Sequence, residues 1–207
     1  MDILDPRIAE YVEQYSTPHD PFLAHVDEVT RDELGHPSML TGPVAGRFLE
    51  LLTWFGRPKR VLEIGTFSGH SALAMAAALP DGGHIDTCEV AEEHAAVAQR
   101  HFGESPYASR ITLHLGPALD SIAKLAGEFD FVFIDADKDG YAAYYDAVLP
   151  RLSERGLIAA DNTLASGRVL DGSADIIAFN EHVAADPRSV QVILSVRDGI
   201  TLIRRAQ

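Results

Sequence analysis

The spacing of apolar positions changes character along the chain. Over residues 43–54 they fall at Val44, Phe48, Leu51 and Leu52, the spacing of one helical face. From residue 60 onward, short apolar runs (60–64, 84–88, 110–115, 129–134 and 157–160) alternate with stretches of helical composition (71–79, 91–102, 118–125 and 141–152). This alternation predicts βαβ units and a mostly parallel sheet with helices on both faces. The end departs from the rhythm. A helix is expected over 174–184, and then two β-rich segments, 190–196 and 200–203, are separated only by Arg197-Asp198-Gly199. So short a connection makes an antiparallel C-terminal hairpin. The first forty residues read as short helical pieces divided at Pro6, Pro18, Pro21 and Pro37. With no repeat, linker or low-complexity tract, one domain is expected over 1–207, a helical cap at 1–42 preceding a core at 43–207.

Composition narrows the field of partners. Of 207 residues, 17 are Lys or Arg and 31 are Asp or Glu, a formal net charge of −14. Nothing in that balance neutralises phosphates, so no nucleic-acid partner is expected. Cys88 is the only cysteine, which excludes a disulfide framework and a cysteine-based zinc site. The first residues carry no basic stretch and no apolar run approaches membrane length, so neither secretion nor a membrane span is expected, and the expected location is the cytoplasm.

Open α/β sheets bind ligands beyond the carboxyl ends of their strands. Here those ends carry Gly65 to Gly69, Glu89, Gly116-Pro117-Ala118, Asp135 to Lys138 and Asp161-Asn162. The glycine loop after residue 64 can bring backbone N–H groups against a ligand. Its spacing matches neither the dinucleotide fingerprint nor a P-loop, which favours a nucleoside ligand without a pyrophosphate; glycines serving only a tight turn are the bland alternative. Glu89 ends the second run about two dozen residues after Gly65, where a carboxylate can accept from both ribose hydroxyls. It can equally be a favourable charge at a helix start.

The Asp135-Ala136-Asp137-Lys138-Asp139-Gly140 segment admits three readings. An EF-hand calcium loop is disfavoured because its twelfth position is Asp146 and the residues before it read as a strand. A phosphatase-like nucleophile is disfavoured by the place in the chain and the following lysine. The third reading is a divalent-cation site. Asp161-Asn162 emerges at the same sheet edge, and two carboxylates with an amide oxygen form a hard, incomplete set suited to Mg²⁺. An Asx turn is the alternative for Asp161-Asn162. Lys138 lies three residues past Asp135 and can act as a base if its pKa is lowered, or simply pair with Asp137 or Asp139 in solvent.

At these residues the chain resembles the cation-dependent O-methyltransferases that use S-adenosylmethionine, the family of catechol and caffeoyl-CoA O-methyltransferases. The matching stretches are 62–71, Leu79-Pro80-Asp81-Gly82-Gly83, 133–138, Asp161-Asn162-Thr163-Leu164 and Asp198-Gly199-Ile200-Thr201, spread over residues 43–205. The resemblance implies a Rossmann-like methyltransferase sheet and a homodimer. It implies contact with S-adenosylmethionine by Glu63, Gly65, Thr66, Ser71, Glu89 and Ala118, joined by Thr41. It also implies Mg²⁺ held by Asp135, Asp161 and Asn162, with Asp135 facing the cofactor as well, and Lys138 in the place of the general base. Asp137 lies near the substrate in some members. The acceptor implied is a small catechol-type molecule. Plant caffeoyl-CoA members have a tryptophan where this chain has Ala165 and a longer segment before the Asp186-Pro187-Arg188 equivalent, so a compact dihydroxylated aromatic is expected here. A non-catalytic protein that binds S-adenosylmethionine and keeps the fold is the alternative. The nine histidines show no paired metal spacing, and Trp54 and Phe55 are expected to pack at the end of their helix, as is one of Tyr144 and Tyr145.

Overall fold

The computed structural model describes residues 5–35, 39–172 and 174–207. The break expected at Pro37 lies outside them. Two Asp-Pro pairs start the N-terminal helices. Asp5 accepts from the Arg7 backbone N–H at the head of α1 (Pro6–Tyr15), and Asp20 accepts from Phe22 and Leu23 at the head of α2 (Pro21–Leu34). Each carboxylate satisfies orphan donors while proline occupies a position that needs none. Helix α2 ends at Gly35 in the left-handed conformation.

The remaining elements are α3 (Gly42–Gly56), β1 (Arg60–Ile64), α4 (His70–Ala78), β2 (His84–Glu89), α5 (Glu92–Glu104), β3 (Ile111–Leu115), α6 (Ala118–Lys124), β4 (Phe129–Ile134), α7 (Tyr141–Val148), β5 (Leu152–Asp161), α8 (Ile176–Ala185), β6 (Ser189–Leu194) and β7 (Ile200–Arg205). The seven strands lie in the order β3-β2-β1-β4-β5-β7-β6. Strands β1 to β5 pair in parallel, and β7 joins β5 and β6 antiparallel, the hairpin the sequence predicts. One core cluster joins β4 and β5 to α7 and α8, through Phe129, Val132, Tyr145 and Phe179 among others. The other joins the opposite face to α2, α3 and α4, through Leu23, Leu49, Leu73 and Phe131. Among the described residues no helix is long and apolar enough to cross a membrane.

Register aligns the strand ends that matter. Ile64 pairs with Cys88 on one side and Ile134 on the other, and Ile134 pairs with Ala160. The residues that follow, Gly65, Glu89, Asp135 and Asp161, therefore emerge along one edge, astride the point where strand order reverses between β1 and β4. Gly65 has φ +98° and a Cβ there would collide with the Asp135 carbonyl oxygen, so these two loops touch because one of them lacks a side chain.

Three expectations are corrected. Helix α7 stops at Val148, with a 3-10 turn over Leu149–Arg151 containing Pro150, and β5 begins at Leu152 rather than 157. Exposed Glu154 and Arg155 interrupt the apolar run although the backbone is already extended. The face of α3 differs as well: Ala45, Gly46, Leu49 and Thr53 are buried, while Leu51 is 55% exposed. Small residues win that face because α3 approaches α4 so closely that a Cβ on Gly46 would press on the rings of His19 and His70. Trp54 and Phe55 do not pack inside; they are 66% and 78% exposed. Tyr145 is the buried member of its pair.

Candidate active site

A cavity of about 780 Å³ opens along the carboxyl edge of the sheet. Thr41, Gly65, Thr66, Ser71, Glu89, Ala118 and Asp135, predicted to contact a nucleoside-bearing ligand, all line it. So do Lys138, Asp161 and Asn162. Glu63 alone of the predicted set is not at the wall. It lies fully buried beneath, accepting from Thr87 Oγ1 at 2.5 Å, with the Ser71 side chain close enough to favour its charged form. Burial pushes this carboxyl up to about 8. Thr87 Oγ1 also meets Thr66 Oγ1 at 2.5 Å, so a polar chain runs from Glu63 to the cavity wall.

Glu89 ties the glycine loop to the end of β2. Its Oε2 accepts from the Phe67 N–H at 2.8 Å, and its Oε1 accepts from Val90 and Ala91, both at 2.9 Å. Oε1 already accepts two bonds, while Oε2 accepts one and keeps further capacity, so anchoring the loop leaves an acceptor for a ribose hydroxyl. Phe67 has φ +49°, and its ring packs edge-on against His94, 4.9 Å between centroids. Both rings line the cavity, and together with Val90 and Pro117 they give it apolar walls. Such a cradle fits an adenosine group: flat apolar surface, backbone donors at the glycine loop, and a carboxylate at the strand end.

At the other end of the cavity the acidic segment meets the end of β5. Lys138 begins a 3-10 turn (Lys138–Gly140) that turns its ammonium back over the strand ends. Nζ donates to Asn162 Oδ1 at 2.8 Å, to Tyr141 Oη at 2.5 Å and to Asp135 Oδ1 at 3.3 Å, and stands 4.5 Å from the Tyr141 ring centroid. Lys138 is thus not a solvated partner of Asp137 or Asp139; Asp137 accepts from Tyr144 Oη at 2.6 Å. Tyr141 is itself buried, and its hydroxyl lies 3.1 Å from the Asp161 carbonyl oxygen and 3.3 Å from that of Ile134, tying the two strand ends together.

Asp161 is 1% exposed and accepts from the Asn162 N–H at 2.8 Å. Burial first, and the nearby Asp135 carboxylate second, push its carboxyl up to about 7. Asn162 adopts φ +58°, a conformation asparagine tolerates better than most residues. Asp135, Asp161 and Asn162 therefore offer three hard oxygens at one corner, with repulsion between the carboxylates that a divalent cation would relieve; the Lys138 ammonium already sits against two of the three residues. The donor set fits Mg²⁺. Among the described residues no group of three or more His, Cys, Asp or Glu side chains could hold a metal ion; the set here includes an amide.

Beside this corner lies a smaller cavity of about 210 Å³, bounded by Lys138, Asn162, Ala165, Arg168, Asp175, Ile176 and Asp198. Ala165, with φ +49°, is 7% exposed and forms part of its wall. Sequence spacing could not reveal several cavity residues. Met39 and Arg197 arrive from distant segments, and His70, beside Ser71, packs its ring 5.2 Å from that of His19, with Nε2 3.3 Å from Asp27 Oδ1. The positive φ of Phe67 and Arg197 is likewise set by the fold.

A model of the O-methyltransferase family matches residues 13–206. The chain is 42% identical over 144 residues to a catechol O-methyltransferase of Niastella koreensis, covering 67% of this chain and 65% of that one. It is 37% identical to a caffeoyl-CoA O-methyltransferase of Eucalyptus gunnii over 82% of this chain and 75% of the relative. Among solved structures, an SAH-bound methyltransferase of Podospora anserina superposes with a TM-score of 0.92 at 30% identity, covering 98% of this chain and 95% of its own. An O-methyltransferase of Bacillus cereus in complex with SAH gives 0.87 at 31% identity, covering 96% and 97%.

Proposed function

The chain belongs to the O-methyltransferase family and is an S-adenosylmethionine-dependent enzyme, and from that premise we propose that it methylates one hydroxyl of a small vicinal dihydroxy aromatic in a Mg²⁺-dependent reaction. The observation that carries the proposal is the meeting of Asp135 and Asn162 at Lys138 Nζ, with Asp161 lining the same end of the cavity.

In this reading Gly65, Thr66, Ser71, Glu89, Ala118 and Thr41 hold S-adenosylmethionine, Glu63 supports them from below, and Asp135 faces both cofactor and metal. Asp135, Asp161 and Asn162 would hold Mg²⁺, which would supply positive charge that lowers the pKa of an acceptor hydroxyl placed beside it. Lys138, as the free amine, takes the proton from that hydroxyl at Nζ. The acceptor oxygen forms a bond to the methyl carbon as the carbon–sulfur bond breaks and its electron pair returns to sulfur. Placing oxygen, carbon and sulfur in line is the protein's main contribution to that step. Both carboxylates and the lysine are already held by backbone or side-chain bonds, so little reordering is needed.

The acceptor is read as compact. The cavity next to Lys138 holds about 210 Å³, Ala165 offers no ring to stack on, and a chain with net charge −14 has no general attraction for the polyanionic CoA group. The relatives named for catechol and for caffeoyl-CoA bracket this choice. We read the assembly as a homodimer, supported by the apolar side chains left exposed on α3, Leu51, Trp54 and Phe55. Assaying purified protein with S-adenosylmethionine, a panel of catechols and caffeoyl-CoA, with Mg²⁺ or with chelator, tests the proposal.

A further inference from the structure

We propose that Arg197, in the turn between β6 and β7, is a positioning residue for the cofactor, clamping the strap of residues 39–41 against the mouth of the large cavity. The inference rests on that cavity being the S-adenosylmethionine site.

Arg197 stands at φ +48°, in the left-handed region that favours glycine. An L-residue held there is strained, and the conformation persists only where surrounding contacts fix it. The contacts are visible. Nη1 donates to the Leu40 carbonyl at 3.1 Å and also to the Thr41 carbonyl, bridging segments 156 residues apart. The guanidinium carbon lies 3.7 Å from where a Cβ on Gly42 would stand, and Gly42 itself has φ +72°. A Cβ there would meet the guanidinium at ordinary van der Waals distance, so glycine at the head of α3 answers the backbone conformation while the guanidinium packs against it. Met39, Leu40, Thr41 and Arg197 all line the cavity, as do Ser71 and Asp135.

The other end of the clamp is fixed to the acidic corner. Thr163 N–H donates to the Gly199 carbonyl at 3.1 Å, and Leu164 N–H donates to the Asp198 carbonyl at 2.9 Å. A Cβ on Gly199 would collide with Leu164, so the turn and the loop after Asn162 are in close contact. Arg197 thus spans from the loop carrying Asp161 and Asn162 to the strap carrying Thr41. A guanidinium can serve two carbonyls with one planar group; a lysine ammonium is a point charge on a more flexible stem and holds such a pair less well. The expected consequence is a cofactor wall held in register with the acidic corner.

Arg197→Gly provides the test, because glycine suits the local backbone while removing the clamp. SAH binding by isothermal titration, thermal unfolding, and amide exchange over residues 39–42 are measured for wild type, Arg197→Gly and Arg197→Lys. In Arg197→Gly the SAH Kd rises about tenfold, the amount expected for losing a charge-assisted hydrogen bond. Exchange over 39–42 accelerates, while Tm stays level or rises; Arg197→Lys lies between. The KM for S-adenosylmethionine rises with kcat at saturation largely kept. Wild-type Kd in Arg197→Gly, or weaker binding accompanied by a lower Tm, overturns the inference. Wild-type protein that fails to bind SAH overturns the cavity assignment and the inference with it.

Discussion

Lys138 Nζ donates to Asn162 Oδ1 across 2.8 Å, joining the residue proposed as general base to an oxygen proposed as a metal ligand. The same nitrogen lies 3.3 Å from Asp135 Oδ1. An ammonium and a divalent cation seek the same oxygens, so a bound cation would compete with Lys138 for Asn162 and Asp135.

Replacing that base separates chemistry from binding. Lys138→Ala is expected to lower kcat by about a hundredfold or more, in the range of general-base catalysis, and to leave the SAH Kd within about threefold, since the lost interaction belongs to the transition state. Steady-state kinetics beside calorimetry makes the comparison. An unchanged kcat at neutral pH would remove Lys138 from the chemistry.

Metal-free stability has a signed dependence on pH. Burial raises the carboxyls of Glu63 to about 8 and Asp161 to about 7, above their ordinary values of 4.5 and 3.8. At these two sites the folded state therefore binds more protons than the unfolded chain between roughly pH 4 and pH 8, whereas His70, lowered to about 3 by burial, acts in the opposite sense below its ordinary value of 6.5. These two groups make stability fall as pH rises through that window, and the loss is complete above the folded pKa values. The difference between wild type and Asp161→Asn in urea titrations of chelated protein at pH 5.5 and 8 isolates the Asp161 contribution. The variant should lose less stability, or gain more, between the two pH values, while ending cation-dependent turnover. A slope identical to wild type in Asp161→Asn counts against the raised carboxyl.

Gly65→Ala tests the contact between the first and fourth strand ends. The added methyl meets the Asp135 carbonyl oxygen and the backbone is left at φ +98°. A loss of more than ~3 kcal/mol, in the range reserved for steric strain in a packed core, is expected in urea unfolding. Stability equal to wild type would mean that the two loops can separate freely.

The proposed dimer predicts that Trp54→Asp with Phe55→Asp shifts sedimentation from twice the chain mass to the chain mass. A wild-type protein that sediments as a monomer at micromolar concentration contradicts it.

Much of the architecture was legible because it depends on short-range periodicity. Apolar runs alternating with helical stretches, then a three-residue turn before the last strand, define a parallel sheet with an antiparallel finish. The corner of Asp135, Asp161 and Asn162 was legible for a related reason: Asp135 follows one buried strand, and Asp161 and Asn162 stand at the end of its parallel neighbour, so register alone brings them together. What escaped depends on contacts between distant segments. The buried face of α3 is set by how near α4 comes, which small Ala45 and Gly46 permit; a search for large apolar residues favours Leu51 instead. The start of β5 was hidden by exposed Glu154 and Arg155, since an extended backbone can carry polar side chains where it meets solvent. Neither the pairing of His19 with His70 nor the bridge from Arg197 to Thr41 has any local signature, and the strained backbone at Phe67 and Arg197 appears only once the chain is folded.

The central claim is cation-dependent methylation of a small catechol, and one experiment addresses it most directly. Purified protein is stripped with chelator, incubated with S-adenosylmethionine and a simple catechol, and sampled by mass spectrometry before and after Mg²⁺ is restored. No singly methylated product is expected in chelator, and rapid formation is expected once Mg²⁺ is added, with kcat/KM for the free catechol exceeding that for caffeoyl-CoA. Full turnover in excess chelator, or a clear preference for the thioester, would contradict it.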